Sequence, residues 1–136
     1  VMIDARELRI GNLINANGVQ IAVDIINVDF GFPENYLIND WYEEDLEPIP
    51  LTEEWLLRFG FERCSSPYKD ADAFQIGKDG DRLIWCNNEL YKPLSEGFVR
   101  ITNSKYPIDD YPVRYIYQLQ NLIFALTGKE LTIQHL

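Results

Sequence analysis

The chain has 136 residues, with 12 lysines and arginines against 22 aspartates and glutamates and a formal net charge of −10. This length suits one domain or two small lobes with a shared core, and the 46% apolar share excludes disorder. No apolar run approaches the roughly 20 residues of a membrane-spanning helix, and no basic segment leads into an apolar one at the start. We therefore expect a cytoplasmic protein without membrane contact.

The negative charge is concentrated in one part of the sequence. Ten of the acidic residues lie between Asp24 and Glu54, and no lysine or arginine occurs from Ile10 to Leu57. Because phosphate backbones are bound by clustered basic side chains, this distribution argues against direct nucleic-acid binding. Acidic residues with neighbouring aromatic anchors fit a surface for a basic protein partner. The candidate partner-binding residues are Trp41, Tyr42, Glu43, Glu44 and Asp45.

Two other interpretations of the acidic segment remain. It fits a solvated loop that only keeps the protein soluble, which is how charge runs usually behave. It also fits an imitation of nucleic-acid charge that occupies a DNA-binding protein. Such mimicry should spread acid over most of the surface, whereas the C-terminal two-thirds of this chain carries mixed charge.

Residues 1–50 predict a β-lobe of short strands. Asn17-Gly18 predicts a two-residue hairpin turn, because both central residues of a type I′ turn need positive φ. Apolar residues at 19, 21, 23 and 25 then alternate with residues at 20, 22 and 24, which is typical of a half-buried strand. The alternation of apolar and polar residues is interrupted at 25–28, which indicates a bend in the chain. A further strand is expected at 36–38. Short strands with tight turns favour a small bent sheet or barrel.

A proline-rich junction and a short helix follow. Pro48 and Pro50 cannot continue a central strand or a helix, so we place the lobe boundary after residue 50. Thr52 is a suitable N-cap, acidic residues at 53 and 54 oppose the positive helix end, and Leu51 and Leu56 suit a hydrophobic staple. Gly60 stands where a helix C-terminus favours a left-handed residue.

Residues 51–136 predict an α+β lobe, either separate or integrated with the first. Strands are expected at 61–64, 73–76, 83–86, 90–91 and 98–101 in an antiparallel meander, with Asp79-Gly80 as another hairpin turn. A long helix is predicted over 112–127, with Pro112 in its first turn and Gly128 after its last. Its apolar residues cover well over half of the circumference, so we expect it at the centre of the fold. A short strand is expected at 131–133.

Gln120 falls in the middle of the apolar arc of the predicted helix. A buried side-chain amide must find hydrogen-bond partners. We expect a structural hydrogen bond to a strand end or a loop, with contact to a ligand as the alternative.

The sequence carries no recognisable catalytic constellation. The only imidazole, His135, is the second-last residue, where chains fray, so a Ser-His or Cys-His mechanism has no suitable base. Cys64 and Cys86 fit small core residues better than reactive thiols or zinc ligands. Aspartates at 70, 72, 79 and 81 do not follow the EF-hand spacing. We therefore expect no metal and no cofactor, and a non-enzymatic role is favoured over an enzymatic one.

Three stretches of the sequence, taken together, are similar to a known protein family. They are ELRIGNLI at 7–14, EPIPLTEEWLLRFGF at 47–61 and YIYQLQNLIFALTGKEL at 115–131. The set resembles a family of short uncharacterised proteins of intestinal anaerobic bacteria, often encoded in prophages and other mobile elements. The resemblance implies no activity and no site residue. The first stretch also resembles the entry strand of a small SH3-like barrel, which suits the β-lobe by fold analogy alone.

Together these observations predict an α+β fold. It has a bent N-terminal β-lobe, a short helix, an antiparallel meander and a long buried C-terminal helix. The expected function is that of an accessory or binding protein of a mobile element, which contacts an unknown protein partner through the acidic segment. The alternatives are a small-ligand-binding domain or enzyme with an acidic pocket, and an acidic mimic that occupies a host DNA-binding protein. The sequence leaves the oligomeric state open.

Overall fold

The computed structural model describes residues 3–28, 36–66, 68, 71–78, 81–87, 89–101 and 113–134. In these ranges the chain forms three antiparallel sheets, two α-helices and two short 3₁₀ segments. The mixed α+β class predicted from the sequence is confirmed.

The N-terminal strands form two small sheets. They are β1 (Leu13–Ala16), β2 (Val19–Ala22), β3 (Ile26–Val28), β4 (Tyr36–Ile38), β5 (Trp41–Tyr42) and β6 (Leu46–Glu47). One sheet has the strand order β2-β1-β6 and the other has the order β3-β4-β5. Hydrogen bonds among the described residues do not close these sheets into a barrel, so the SH3-like barrel stays a prediction.

The β1–β2 hairpin has the predicted two-residue turn. Asn17 and Gly18 have φ values of 49° and 81°, and Ala16 pairs with Val19 across the turn. The half-buried strand predicted over 19–25 forms only in part, because β2 ends at Ala22; Val23 is buried as predicted, whereas Val19 and Ile25 are exposed. β2 is the outer strand of its sheet, so its side chains have a neighbouring strand on one side only.

The second part of the chain contains a larger sheet and two helices. Its elements are α1 (Glu53–Arg58), β7 (Glu62–Cys64), β8 (Ala73–Ile76), β9 (Leu83–Cys86), β10 (Glu89–Leu94), β11 (Gly97–Arg100) and α2 (Ile116–Thr127). The five strands are hydrogen-bonded in the order β11-β10-β9-β8-β7, which is the predicted meander. The pairing of β8 with β9 ends at Ile76 and Leu83, and the predicted turn residues Asp79 and Gly80 lie outside the described residues.

Short-range signals set both ends of α1. Thr52 Oγ1 accepts a hydrogen bond from the backbone N–H of Trp55 at 3.4 Å, which satisfies one of the free donors of the first turn. After the helix, Gly60 has a φ of 94°, a conformation that strains any residue with a Cβ. Both features agree with the sequence prediction.

The long helix begins later than predicted. Residues 113–115 are not helical, because Tyr115 pairs with Pro50 in an isolated antiparallel bridge. The N–H of Leu51 donates to the carbonyl of Arg114 at 3.0 Å, and the N–H of Ile116 donates to the carbonyl of Ile49 at 2.9 Å. This pairing with the proline-rich junction holds the chain extended where the sequence predicts the first helical turn, while Pro112 lies outside the described residues.

Helix α2 packs against two groups of buried side chains. Ile116, Leu119 and Ile123 belong to the main core, between the helices and the five-stranded sheet. Tyr117 belongs to the N-terminal core, which also contains Ile3, Ala5, Leu8, Ile14, Ala16, Val23, Ile38 and Leu46. The first turns of the helix are therefore buried at the centre of the fold, as predicted. Near its C-terminal end the helix is less buried than predicted, because Phe124 and Leu126 are exposed.

The segment after α2 is not the strand predicted at 131–133. Gly128 ends the helix with a φ of 73°, as predicted. The next residues have no regular secondary structure, although Leu131 is buried in the main core. The N–H of Gln134 donates to the carbonyl of Arg58 at 2.7 Å, so this segment lies against the end of α1 instead of joining a sheet.

The side chain of Gln120 connects α2 to two other segments. It is only 2% exposed. Its Oε1 accepts from the N–H of Leu13 at 2.8 Å, and its Nε2 donates to the carbonyls of Gly11 at 3.2 Å and Leu131 at 3.1 Å. These are the strand-end and loop contacts that the sequence analysis expects of a structural amide.

A second group of polar contacts surrounds Asn12, which is fully buried. Asn12 Oδ1 accepts from the N–H of Arg9 at 2.7 Å, and Asn12 Nδ2 donates to Asn121 Oδ1 at 2.8 Å. Asn121 Nδ2 donates in turn to the carbonyl of Glu7 at 2.8 Å. The guanidinium of Arg9 pairs with Glu130 and lies 3.8 Å from the centre of the Phe124 ring. Residues 7–12 are thus bound to one side of α2.

Replacing Gln120 by leucine should lower the free energy of unfolding by about 3 kcal/mol, because it leaves a part-buried N–H, a part-buried carbonyl and the buried carbonyl of Leu131 without their partner. The matched control is Gln20→Leu, which makes the same substitution at an exposed position of β2. We expect the control to change stability by less than about 0.5 kcal/mol. Urea denaturation measures both, and equal losses would contradict the assigned role of Gln120.

Candidate functional site

The acidic segment predicted to bind a partner folds as a compact turn. Its residues form β5, a 3₁₀ segment (Glu43–Asp45) and β6. Asn39 and Asp40 precede them with φ values of 50° and 67°, a left-handed region that these two residue types tolerate better than most. We name residues 39–47 the acidic turn.

Hydrogen bonds to the N-terminal part of the chain position the acidic turn. The backbone N–H of Asn17 donates to the carbonyl of Asp45 at 3.0 Å. The N–H of Ala5 makes a longer contact of 3.5 Å with Glu43 Oε2. Leu46 is buried in the N-terminal core, where it pairs with Ala16 of β1. The acidic turn is therefore an ordered surface rather than a detached loop.

Asn39 anchors the other end of the acidic turn. Its Oδ1 accepts from the backbone N–H groups of Asp24 at 2.7 Å and Ile25 at 2.9 Å. Its Nδ2 donates to the carbonyl of Ala22 at 2.7 Å. The side chain of Asn39 thus forms hydrogen bonds with the backbone where the chain leaves β2. The strand predicted over 19–25 ends at this place.

The two aromatic residues of the acidic turn have different environments. Trp41 is half-buried and packs against the N-terminal core. Tyr42 is 44% exposed. Of the two anchors predicted from the sequence, Tyr42 is the one available to a partner, whereas the ring of Trp41 holds the acidic turn on the protein. The carboxylates of Asp40, Glu44 and Glu47 are exposed around it.

A basic side chain beside the acidic turn is already paired. Arg6 lies on the 3₁₀ segment Ala5–Glu7, and its Nε and Nη2 donate to the two oxygens of Asp4 at 3.0 and 2.8 Å. This side-chain hydrogen bond, followed by one from the Arg6 backbone, holds the pKa of the Asp4 carboxyl below its usual value. Glu43 adds a smaller attraction to Arg6. Because Asp4 offsets most of the charge of Arg6, the acidic turn keeps its negative potential.

The second candidate site is a groove where α1 meets the five-stranded sheet. It is an open groove of about 390 Å³, with Phe74 and Trp85 on its floor and Glu53 and Asp72 on its rim. Arg63 pairs with Glu53, approaches Asp72 to 4.0 Å and lies 5.3 Å from the centre of the Phe74 ring. The two rim carboxylates are 43% and 79% exposed. The groove therefore holds two solvated carboxylates together with their own counter-charge.

The sequence predicts other roles for these groove residues. Glu53 is predicted in the first turn of α1, Asp72 belongs to a run of aspartates that does not follow the EF-hand spacing, and no pattern assigns a role to Arg63. The contacts join a helix to two paired strands, and no spacing along the chain signals such a pairing.

The two cysteines do not form a disulfide. They lie on β7 and β9, with Ala73 of β8 between them, so two strand spacings of about 4.8 Å separate their backbones. A disulfide needs Cα atoms closer than about 7 Å. Cys86 is buried, with its Sγ 3.4 Å from Ser66 Oγ, and burial raises the pKa of the Cys64 thiol.

The remaining candidate groups do not assemble into a site within the part of the chain that the structure describes. There, no three histidine, cysteine, aspartate or glutamate side chains form a group that could hold a metal ion. Asp70, Asp79 and His135 lie outside the described residues. None of the described helices combines the length and the apolar character that a membrane span requires.

Two buried tyrosines have raised pKa values. Burial is the main cause for Tyr117, and its hydroxyl also donates to Glu7 Oε2 at 2.9 Å. Burial likewise raises the pKa of Tyr91, whose hydroxyl contacts Tyr68 and Glu89. Ionisation of either phenol would place a negative charge beside a carboxylate in a poorly solvated position.

Comparisons with protein-family models, with curated proteins and with solved structures give no match. The family resemblance of the three sequence stretches therefore stays a prediction. In the structure, the stretches at 7–14 and 115–131 supply the contacts around Gln120 and Asn12, and the stretch at 47–61 supplies α1 and the junction that pairs with 114–116.

Alanine substitutions of Trp41 and Tyr42 should differ in their effect on the free energy of unfolding. Trp41→Ala removes a ring packed on the N-terminal core, so we expect a loss of about 2 kcal/mol in the free energy of unfolding. Tyr42→Ala removes an exposed ring and should cost less than about 0.5 kcal/mol. Thermal and urea denaturation of the two variants measure the difference, and similar losses would contradict the assigned environments.

The raised tyrosine pKa values predict a loss of stability in alkali. An unfolded tyrosine ionises near pH 10 and the folded ones ionise higher, so the unfolded state binds fewer protons above that pH. The stability is complete below about pH 10 and falls as the pH rises toward the folded pKa, by up to about 1.4 kcal/mol per pH unit for each tyrosine. Tyr117→Phe should make this decline less steep, as measured by urea denaturation between pH 9 and 12. An unchanged slope would exclude Tyr117 as a contributor.

Proposed function

We propose that this protein is a non-enzymatic binding protein that recognises a basic protein partner through the acidic turn. One observation carries the proposal: Tyr42 is exposed, as are its sequence neighbours Asp40 and Glu44, on a backbone held by hydrogen bonds to other segments. An ordered aromatic anchor loses little conformational entropy on binding, and surrounding charges of one sign select a partner of the opposite sign.

The charge distribution defines the chemistry of the partner. The absence of lysine and arginine from Ile10 to Leu57 leaves the acidic turn in a wide negative region. Such a region attracts a cationic surface over distances comparable to the Debye length, so the encounter should be fast and sensitive to salt. The proposed partner presents lysine and arginine around a pocket that accepts a tyrosine ring.

Three further parts of this proposal come from the sequence. The resemblance of the three stretches suggests an accessory protein of a prophage or another mobile element. The cytoplasmic place of action expected from the sequence is a further part of the proposal. The N-terminal strands suggest an SH3-like arrangement by analogy of fold.

A groove between α1 and the sheet supports a second candidate function, the binding of a small molecule. Its aromatic floor of Phe74 and Trp85 suits a flat apolar ligand. Arg63 already pairs with the carboxylates of Glu53 and Asp72, so little unpaired negative charge remains in the groove to bind a cationic ligand. The acidic turn combines free charge with an exposed ring, and we therefore favour protein binding.

The test is capture of proteins from a lysate of an intestinal anaerobe on the immobilised full chain. We expect a protein that is retained at low salt and released at high salt. Tyr42→Ala and Glu44→Lys should each lose it, because they remove the anchor and reverse a neighbouring charge. The matched control, Glu62→Lys, makes the same charge change at an exposed position of β7 and should retain it.

Several outcomes would contradict this proposal. Retention of the same protein by wild type, Tyr42→Ala and Glu44→Lys would exclude the acidic turn as the contact. Competition of the captured protein by duplex DNA would favour the acidic-mimic hypothesis instead. Capture of nothing at either salt concentration, together with quenching of Trp85 fluorescence by a small-molecule extract, would favour the groove.

A further inference from the structure

The turn of the β1–β2 hairpin contains a pair of residues that can react with each other. Asn17-Gly18 is the only place in the sequence where a glycine follows an asparagine. In such a pair the backbone nitrogen of the glycine can attack the side-chain amide of the asparagine, because glycine places no side chain beside the attacking nitrogen. Both residues are exposed, so water and base reach them.

The reacting groups of this turn have no competing contacts. The β1–β2 ladder begins with the pair Ala16–Val19, so Gly18 is not part of it. Within the part of the chain that the structure describes, no hydrogen bond holds the N–H of Gly18 or the side-chain amide of Asn17. Apart from the neighbouring residues, no heavy atom lies within 4 Å of the position that a Cβ of Gly18 would take. The turn therefore has room for the attack and for the departing ammonia.

The hairpin has to open at its end before the reaction. Asn17 has a left-handed φ of 49°, as a type I′ turn requires, and the attack needs a rotation about its Cα–C bond that separates Ala16 from Val19. This opening is local, because β2 is the outer strand of its sheet and its first residues are exposed. β1 keeps its place, since β6 pairs with its other side.

We propose that Asn17 is a site of spontaneous deamidation and isomerisation. After the N–H of Gly18 loses its proton to a base in the solvent, the nitrogen forms a bond to Cγ of Asn17. The bond from Cγ to the amide nitrogen breaks, and this nitrogen leaves as ammonia with a proton from water. The remaining succinimide ring adds water at one of its two carbonyls, which breaks a C–N bond and yields aspartate or isoaspartate. One water is consumed and one ammonia is released, so no oxidant or reductant takes part.

Both products change the surroundings of the acidic turn. Aspartate adds a negative charge beside Asp45, whose carbonyl accepts from the N–H of Asn17 at 3.0 Å. Isoaspartate routes the backbone through the side chain and lengthens the turn by one carbon atom. A two-residue turn then no longer connects Ala16 and Val19 in register, so the end of the hairpin loosens and its hydrogen bond to Asp45 weakens.

The test is ageing of the full chain at neutral and at mildly alkaline pH, followed by peptide mass spectrometry. We expect a mass increase of about 1 Da at Asn17, because an oxygen and a hydrogen replace the amide NH₂. The increase should be faster at the higher pH, since the attacking nitrogen must be deprotonated. Asn39 is the internal comparison, because its side chain makes three hydrogen bonds to backbone groups. Its deamidation in the same sample should be at least about tenfold slower.

The matched control variant is Asn17→Gly. It removes the reactive amide, and a Gly-Gly pair still suits a type I′ turn, so circular dichroism should show the fold retained. An isoaspartate-specific methyltransferase should label the aged wild type and leave the aged Asn17→Gly chain unlabelled. Equal labelling of the two chains, or deamidation of Asn17 that is no faster than that of Asn39, would overturn the proposal.

Amide hydrogen exchange tests the effect on the hairpin. The N–H groups of Asn17 and Val19 should exchange faster in the aged chain than in the fresh one, because isoaspartate disturbs the turn between them. Unchanged exchange in a chain that carries isoaspartate would refute the coupling to the acidic turn. None of these measurements needs a partner protein, so the proposed function stands or falls separately.

Discussion

The buried amide of Gln120 is the constraint on which the rest of the structure depends. It bonds to the start of β1, to the carbonyl of Gly11 just before it and to the carbonyl of Leu131, and so joins α2 to two other segments through one side chain. A buried amide without partners costs several kcal/mol, which is a large part of the stability of a small domain. Helix α2 and the N-terminal segment therefore favour one relative position. Because β1 pairs with β6, that position also sets where the acidic turn lies.

The acidic turn depends on net charge for recognition. The acidic turn lies in a part of the sequence with acids and no bases, so it repels a second copy and attracts a basic partner. This attraction depends on net charge, which salt screens over long distances.

Predictions that rested on local backbone chemistry agree with the structure. The Asn17-Gly18 turn and the Thr52 cap formed as expected, and Gly128 ends its helix. Predictions that ignored distant partners were wrong. The helix expected from residue 112 begins at Ile116 because residues 114–116 bond to the proline-rich junction. No strand forms at 131–133, where the carbonyl of Leu131 accepts from the side chain of Gln120 and the next residue, Gln134, donates to the carbonyl of Arg58 at the end of α1.

For the candidate site, the sequence by itself determined the composition: a run of acids without bases, two adjacent aromatic residues, and an amide on an apolar helix face. These properties belong to residue types and their spacing, so they do not depend on the fold. Only the tertiary structure decided that Trp41 packs inward while Tyr42 faces solvent, and that Arg63 compensates Glu53 and Asp72. Each of these depends on which segment packs beside another, and packing between distant segments leaves no periodic signal in the chain.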